Sequence, residues 1–242
     1  MRNRTAMNES PAKSKLSPWT IWVPIIIAVL GIVVFYNYLI YRSRIDNDVN
    51  RPPILGRLEK DLDLTERSGK AVHLADLKGK VLVISWVFTR CPRGCAAVVA
   101  KLKKLQGEFA NEPNLQFVSV TLDADDTPEM MQKFARSLDI KDDANWWFVN
   151  GEKDAVRKFM TSQAQFRPVQ DMPEADRLSP DDKYIHDLRV AVIDHRGHVR
   201  SLADILNPDP EFAKFWDEKL RKDLRYLLNE QKKSPYQPEA TK

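Results

Sequence analysis

The sequence predicts an α/β protein with one domain and a mixed central sheet, preceded by a single N-terminal transmembrane helix. Three observations support this fold class. An uncharged run covers residues 19–41, strand-like and helix-like patterns alternate after it, and the run VLVISWVF at residues 81–88 is apolar on both faces. A strand without a polar face belongs in the middle of a sheet that is covered on both sides. The order of the patterns then gives a mixed-sheet α/β sandwich.

The N-terminal run WTIWVPIIIAVLGIVVFYNYLIY at residues 19–41 carries no charge. As a helix that rises about 1.5 Å per residue it reaches roughly 34 Å, which is enough to cross the hydrocarbon core of a bilayer. The alternative is a cleaved signal peptide, but the apolar region of such a peptide is usually about 7–15 residues long and ends at small residues. Here Arg42 and Arg44 follow instead, so we expect an uncleaved membrane anchor.

The orientation of this anchor does not follow from its flanking charges, because Lys and Arg residues stand on both sides of it. Long domains that follow a first span translocate largely regardless of charge. We therefore expect residues 1–18 in the cytoplasm and the C-terminal domain in the periplasm, with the chain crossing a bacterial cell inner membrane once. The formal net charge is only +4, with both signs interleaved, which argues against nucleic acid as a partner.

Composition divides the chain after the anchor into three parts. The polar stretch 42–53 ends in two prolines and is predicted to be a linker. Residues 54–230 are predicted to form the domain, and residues 231–242 a disordered tail. Periodicity and turn residues predict the elements of the domain. They are a hairpin around 68–70, a strand at 81–88, a helix through Val98, Leu102, Leu105 and Phe109, a strand at 115–123, a helix that begins at Thr127, a strand at 145–151, a helix at 152–163, an insertion at 163–183, strands at 188–194 and 199–203, and a helix at about 209–231.

Both cysteines of the chain, Cys91 and Cys95, stand where the central strand gives way to a helix. Pro92 suits the first helical turn, which predicts Cys91 at a helix N-terminus, where the dipole favours the thiolate, and Cys95 one turn later on the same face. Arg90 and Arg93 would also favour negative charge there. A disulfide staple that closes so short a loop stabilises a core little. The pair therefore fits a redox couple or two ligands of a metal site better than a staple or two inert buried thiols.

A third metal ligand is suggested by His186, which stands just before the strand at 188–194. If that strand runs antiparallel beside the strand at 81–88, His186 lies near Cys91. Two thiolates and one imidazole form a soft ligand set that suits Cu(I) and also holds Cu(II), whereas structural zinc usually has four protein ligands. The remaining histidines, which are His73, His195 and His198, are predicted to be exposed surface residues.

Three stretches of the chain resemble, in order, the Sco/SenC family of membrane-anchored proteins: DLKGKVLVISWVFTRCPRGC, VSVTLDADDTPE and YIHDLRVAVIDHRGHVR. The resemblance covers about residues 54–228 and implies a thioredoxin-like three-layer sandwich with an inserted hairpin. It also implies a copper-binding chaperone that delivers copper to the CuA site of cytochrome c oxidase, and reduces the cysteines of that site. The implied partner is oxidase subunit II or another periplasmic copper protein. Carried over residue by residue, the metal ligands are Cys91, Cys95 and His186, with Asp123 as an acid beside them.

The chain departs from the family pattern near these ligands. Arg93 stands where the family usually has Asp, Ala96 where it has Pro, and Ile185 where Asp commonly precedes the histidine. Replacing an acid with Arg93 favours a thiolate and disfavours a bound cation. The alternative function is therefore that of a periplasmic thiol-disulfide oxidoreductase, an enzyme in which Cys91 attacks and Cys95 resolves.

Two further features near the predicted site have simpler interpretations. Asp123 ends a strand on the side of the sheet where ligands collect in α/β proteins, while Asp125 and Asp126 fit a role in capping the next helix. The insertion at 163–183 leads directly to His186. It is predicted to be either an ordinary surface loop or a mobile lid beside the site.

Overall fold

A computed structural model describes residues 18–46, 48–142 and 144–237. The chain divides into two units, residues 1–49 and 50–242. In the first unit, helix α1 spans Pro18–Asp46, and its stretch Ile21–Arg42 is long and apolar enough to cross a membrane by length and composition. The helix continues past the predicted anchor and into the predicted linker, because residues 42–46 contain neither Gly nor Pro and the two prolines come only at 52 and 53.

The second unit is built on a mixed sheet of eight strands, which are β1 Gly56–Arg57, β2 Asp63–Glu66, β3 Ala71–His73, β4 Val81–Val87, β5 Leu115–Thr121, β6 Trp146–Asn150, β9 Val190–Ile193 and β10 His198–Ala203. Their order in the sheet is β1-β10-β9-β4-β5-β6-β2-β3. The strands β4, β5 and β6 are parallel, and β9 pairs with β4 in the antiparallel direction, as predicted.

Four helices accompany the sheet, and together they form the predicted α/β sandwich. They are α2 Cys95–Glu108, α3 Pro128–Ser137, α4 Lys153–Ser162 and α5 Pro210–Lys233. Helix α3 begins as predicted, with the side chain of Thr127 accepting a hydrogen bond from the backbone N–H of Met130. Helix α5 extends two residues past the predicted end at 231, so the predicted disordered tail begins inside a helix. Residues 238–242 of that tail lie outside the described residues.

The central strands β4 and β5 are buried along their whole length. Burial on both faces explains why β4 is apolar at every position except Ser85. Because these two strands are parallel, their carboxyl ends lie side by side at one end of the sheet, and the antiparallel strand β9 begins at the same end. The residues that follow Val87 and Thr121 and those that precede Val190 are thereby brought together.

The insertion before β9 is not an irregular loop. Its strand β7, Gln170–Asp171, pairs antiparallel with β8, Tyr184–Ile185, and forms a small separate sheet. A short 3-10 helix at Glu174–Asp176 lies between these strands. His186 follows directly after β8, so this hairpin carries the predicted third ligand.

Two of the three other histidines are not exposed, and the prediction for them is wrong. His195 is buried, and His198 is partly buried with its Nδ1 3.2 Å from Asp194 Oδ2. Both flank the turn between β9 and β10. In this turn the side chain of Asp194 accepts a hydrogen bond from the backbone N–H of Arg196, and a terminal nitrogen of Arg196 donates to the hydroxyl of Ser234, directly after helix α5, at 2.9 Å. That covering contact comes from a segment far away in the sequence. His73 is exposed as predicted and lies 2.9 Å from Asp63.

Candidate metal centre

The cysteine loop joins the end of β4 to helix α2. The backbone N–H of Cys91 donates to the carbonyl of Phe88 at 3.0 Å, and this turn holds the chain outside helical geometry. Helix α2 begins only at Cys95, after Gly94 as its N-cap. The prediction that Cys91 stands at the helix N-terminus is therefore wrong. Cys95 is the first helical residue, and Cys91 lies in the loop before it.

The structure brings the three predicted ligands together. The ligand atoms of Cys91, Cys95 and His186 all lie within 4.8 Å of one another. The sulfur of Cys95 is 3.3 Å from His186 Nε2, while Nδ1 of the same ring is 3.1 Å from the carbonyl oxygen of Asp187. When Nδ1 donates to a carbonyl, Nε2 can bind a metal through its lone pair. His186 is thus oriented with Nε2 towards the sulfurs.

The two cysteines are free thiols with opposite properties. A hydrogen bond from Cys95 lowers the pKa of Cys91 to about 3, against the effect of burial and with further hydrogen bonds from His186 and from the backbone N–H groups of Cys95 and Gly94. The same contact, together with burial, raises the pKa of Cys95 well above its usual range. Without metal, the pair therefore holds one proton, on the buried sulfur of Cys95, and Cys91 is a thiolate at neutral pH.

The spacing of the three atoms fits one metal ion after a small contraction. Bonds from sulfur and nitrogen to a metal such as zinc are about 2.0–2.3 Å long, so three ligands spread evenly around an ion lie about 3.5–4.0 Å apart. The largest separation is within 4.8 Å, and the pair Cys95–His186 is already at 3.3 Å. The donor set consists of two sulfurs and one imidazole, which soft metal ions prefer.

Asp123 is not among the three residues of this group. It is buried, and its carboxylate accepts a hydrogen bond from Arg90 at 2.8 Å. Arg90 also lies 3.5 Å from Asp181 of the insertion. The position of Asp123 agrees with an acid that acts through Arg90 rather than as a ligand, and its role stays a prediction.

Asp126 has a larger structural part than the sequence analysis gave it. It is fully buried and accepts hydrogen bonds from the backbone N–H of Thr89 at 3.0 Å, from the Thr89 hydroxyl, and from the Thr121 hydroxyl. It therefore joins the loop after β4 to the end of β5 and does not cap a helix. The signal in the sequence was the pair of threonines near the ends of two neighbouring parallel strands, which need a common acceptor at that edge.

Arg93 points to the insertion and binds Asp182. Its Nε lies 2.9 Å and 2.8 Å from the two carboxylate oxygens of Asp182. The hydrogen bond lowers the pKa of Asp182 and raises that of Arg93. The charge that the sequence analysis placed at the thiols is therefore largely matched by a carboxylate. Asp182 stands 89 positions further along the chain, and no local pattern indicates this pairing.

Comparison with known proteins extends these observations. The SCO1/SenC family model matches residues 54–220. A curated relative, the SCO1 protein homolog of Bacillus subtilis (strain 168), is 27% identical over 136 residues, which cover 55% of this chain and 66% of the relative. The chain thus spans just under two thirds of that relative's length.

Solved structures are similar over most of the second unit. The crystal structure of a SCO1/SenC family lipoprotein from Bacillus anthracis str. Ames has a TM-score of 0.60 and 28% identity, and the match covers 73% of this chain and 98% of that one. BsSco, described as a member of the Sco family of cytochrome c oxidase assembly proteins with a disulfide switch, has a TM-score of 0.56 and 22% identity, with 72% and 97% covered. Yeast Sco1 with copper bound has a TM-score of 0.54 and 19% identity, with 77% and 92% covered. The predicted thioredoxin-like three-layer sandwich is confirmed.

Proposed function

Because this chain belongs to the SCO1/SenC family, we propose that it binds copper through Cys91, Cys95 and His186 and delivers it to the CuA site of cytochrome c oxidase. The observation that carries the proposal is the convergence of the three ligand atoms within 4.8 Å. Copper-bound relatives such as yeast Sco1 support the choice of metal. Delivery to an oxidase, through its subunit II or another periplasmic copper protein, is supported by the assembly role stated for BsSco.

The donor groups suit copper as a cargo. Cu(I) prefers thiolate ligands, and two thiolates with one imidazole also hold Cu(II). Cys91 is already a thiolate, so only Cys95 releases a proton when the metal is bound. His186 presents Nε2 to the metal while its Nδ1 lies 3.1 Å from the Asp187 carbonyl oxygen.

We further propose that the chain is a single-pass protein of a bacterial inner membrane, with residues 50–242 in the periplasm. Helix α1 and the lipoprotein relative support anchoring in a membrane. The inner membrane and the periplasmic side are inferred from the proposed delivery of copper to an oxidase. In intact cells, a thiol reagent that does not cross membranes is then expected to label Cys91. Labelling that occurs only after the cells are lysed would contradict this orientation.

Copper titration of the full-length chain in detergent, reduced and under nitrogen, tests the main proposal. We expect about one copper ion per chain. Loss of groups that only support metal ligands typically costs about 10–100-fold in affinity, so His186→Ala, which removes a ligand, is expected to cost more than about 100-fold. Both thiols should stay titratable in this variant.

The matched control is His73→Ala, which removes an exposed histidine outside the ligand group. This variant should bind copper as the wild type does. If the reduced wild type binds no copper, or if His186→Ala binds it equally well, the proposal is wrong.

A second function is favoured by one observation, the thiolate of Cys91 beside the protonated thiol of Cys95. In a thiol-disulfide exchange, the Cys91 sulfur attacks a substrate disulfide and forms a mixed disulfide, and one substrate thiolate leaves. Cys95 then loses its proton, attacks Cys91, and releases the second substrate thiol. Cys95→Ser is expected to trap the mixed disulfide. If no adduct forms with any periplasmic thiol protein, this second function is contradicted.

A further inference from the structure

We propose that Arg93 and Asp182 form a positioning pair that holds His186 beside the two cysteines. This inference rests on the proposed copper site and adds a specific device to it. The pair joins the cysteine loop to the hairpin that carries the third ligand. It is named here the loop clamp, which consists of Arg93 and Asp182 alone.

The geometry of the loop clamp is that of a strong ion pair. Nε of Arg93 reaches both oxygens of Asp182 at 2.9 Å and 2.8 Å, and one terminal nitrogen lies 2.7 Å from Oδ2. That terminal nitrogen also donates to the backbone carbonyl of Asp176 at 2.9 Å. Charge-assisted contacts of this planar kind are strong and directional. The Asp182 side chain is only 2% exposed, so few water molecules compete for it.

Asp182 is fixed to its own segment as firmly as it is to Arg93. Its Oδ2 accepts from the backbone N–H of Leu178 at 2.9 Å, and its backbone N–H donates to the carbonyl of Ser179 at 3.0 Å. These bonds fold residues 178–182 into a compact turn. The position of the Asp182 carboxylate is therefore coupled to the position of the backbone at residues 178–182.

His186 comes only four residues after Asp182. A chain spans at most about 3.3–3.6 Å per residue, so His186 cannot lie more than about 14 Å from the clamp. Strand β8, which is Tyr184–Ile185, lies between them and is paired with β7. The intervening segment is therefore short, and its direction is set. Fixing Asp182 on the cysteine loop consequently restricts where the imidazole can lie.

On the other side of this segment, the hairpin is held by aromatic and apolar contacts and by the guanidinium of Arg157, which lies 5.0 Å from the centre of the Tyr184 ring. The rings of Phe88 and Tyr184 meet edge to face with centroids 5.7 Å apart. Gly94 packs against Leu188 so closely that a Cβ at Gly94 would lie 2.9 Å from a methyl carbon of Leu188. Among the described residues, the ion pairs between the cysteine loop and the insertion are the loop clamp and the longer pair Arg90–Asp181, whose acid is half exposed.

A positioning role for Arg93 has different consequences from a purely electrostatic effect of its charge on the bound metal. If Arg93 acts by positioning, its removal releases His186 and leaves the sulfurs where they are. Removal of Asp182 then has the same effect, although it changes the charge in the opposite direction. A purely electrostatic role predicts opposite effects for the two substitutions. The direction of the two effects is thus diagnostic.

The test compares Arg93→Gln and Asp182→Asn with the wild type, each as the full-length chain in detergent. Both variants are expected to lower copper affinity by about 10–100-fold, the usual effect of losing a group that orients a ligand. Each should add nothing when combined with His186→Ala, because that ligand is already absent. Arg93→Lys, which keeps the charge but not the planar contact, should recover part of the affinity.

The matched control is Arg221→Gln, which breaks another two-point contact, to Glu108 at 2.7 Å and 2.8 Å, on the surface of helices α5 and α2. It should leave copper affinity unchanged. The inference is overturned if the two clamp variants bind copper as the wild type does, if they shift affinity in opposite directions, or if their losses add to that of His186→Ala.

A measurement without metal keeps the inference separate from the proposed function. In the copper-free chain, 15N relaxation at residues 178–186 is expected to show greater motion in Arg93→Gln and in Asp182→Asn than in the wild type. Equal motion would contradict the loop clamp whatever the wild type binds. Failure of the wild type to bind copper would contradict the proposed function alone.

Discussion

At the scale of single residues, the two cysteines differ mainly in which of them keeps a proton. The hydrogen bond between the sulfurs lowers the pKa of Cys91 to about 3 and raises that of Cys95. The sequence predicted a favoured thiolate at Cys91 but attributed it to the helix N-terminus, which is not the main cause. The main cause is the hydrogen bond from the Cys95 thiol, to which His186 and the backbone N–H groups of Cys95 and Gly94 at the start of helix α2 add.

The reactivity of Cys91 should therefore be almost independent of pH in the neutral range. Between pH 5 and pH 8, alkylation of the copper-free chain by iodoacetamide is expected at a nearly constant rate, whereas an ordinary thiol, with a pKa of about 8.5, slows roughly tenfold per pH unit. Cys95→Ala removes the largest cause of the lowered pKa and should restore a slope. A wild-type rate that falls tenfold per unit from pH 8 would contradict this prediction, and Cys91→Ala identifies the reacting thiol.

The lowered pKa of Cys91 also decides how its thiolate changes the stability of the fold with pH. A pKa that is lowered on folding means that the unfolded chain binds more protons at Cys91 than the folded chain does. The contribution of this thiolate to folding is thus present at high pH and is lost as the pH falls towards 3.

The sequence predicted the residue-scale contacts that follow from strand direction and missed those that depend on how loops fold. Cys91, Cys95 and His186 were brought together by one argument about strand direction, supported by a family resemblance. The partners of Arg93 and Asp126 were missed. An ion pair between residues 93 and 182 leaves no periodic trace in the sequence, because it depends on how the insertion folds back.

At the scale of elements, the carboxyl ends of β4 and β5 are joined by one buried carboxylate. Asp126 accepts hydrogen bonds from Thr89 and Thr121 and lies in the loop before helix α3. The sequence predicted these strands and the start of α3 at Thr127, since burial and caps are local signals. It placed the start of α2 too early, since Pro92 fits a first helical turn as well as it fits this loop.

Asp126→Ala should loosen the cysteine loop. It leaves the amide and the hydroxyl of Thr89 without an acceptor, while the Thr121 hydroxyl keeps the Asp123 carbonyl at 3.4 Å. Each unsatisfied group costs about 1–3 kcal/mol, so we expect a loss of about 2–6 kcal/mol in the free energy of unfolding by urea. Asp125→Ala, at a neighbouring but exposed position, is the control. Equal stability of the two variants would show that the buried carboxylate does not hold the loop.

At the scale of the whole molecule, a buried arginine joins distant segments of the second unit at the end of the sheet opposite the cysteines. Arg200 is 1% exposed, binds Asp194 at 2.8 Å, and donates to the carbonyl of Pro52 at 2.9 Å. Its NH1 also lies 3.5 Å from Glu230 of helix α5. The first residues of the unit, its last strand and its last helix thus meet at one guanidinium. The α/β sandwich followed from periodicity, but this closure, like the burial of His195, did not, because it joins distant segments.

Arg200→Leu is expected to lower the stability of the second unit without changing the metal site. It leaves the buried carboxylate of Asp194 with the His198 ring and the backbone N–H groups of Arg196 and His198 but without its arginine, and breaking a buried pair costs about 3–5 kcal/mol. The melting temperature should fall by several degrees, while copper affinity stays at the wild-type value. Arg136→Gln, which breaks an exposed pair with Asp142, should change neither. A loss of copper affinity in Arg200→Leu would show that the two edges of the sheet are coupled.

The unequal exposure of the three proposed ligands bears on the proposed transfer of copper. Cys95 is only 1% exposed, whereas Cys91 and His186 are partly open to solvent. Under the proposed function, an incoming ligand approaches the bound ion from the side of Cys91 and His186, so the protein that supplies copper and the protein that receives it share one side of the site. The two proteins then compete for that side. Loading and unloading have to alternate, and an excess of either partner is expected to slow the other's step.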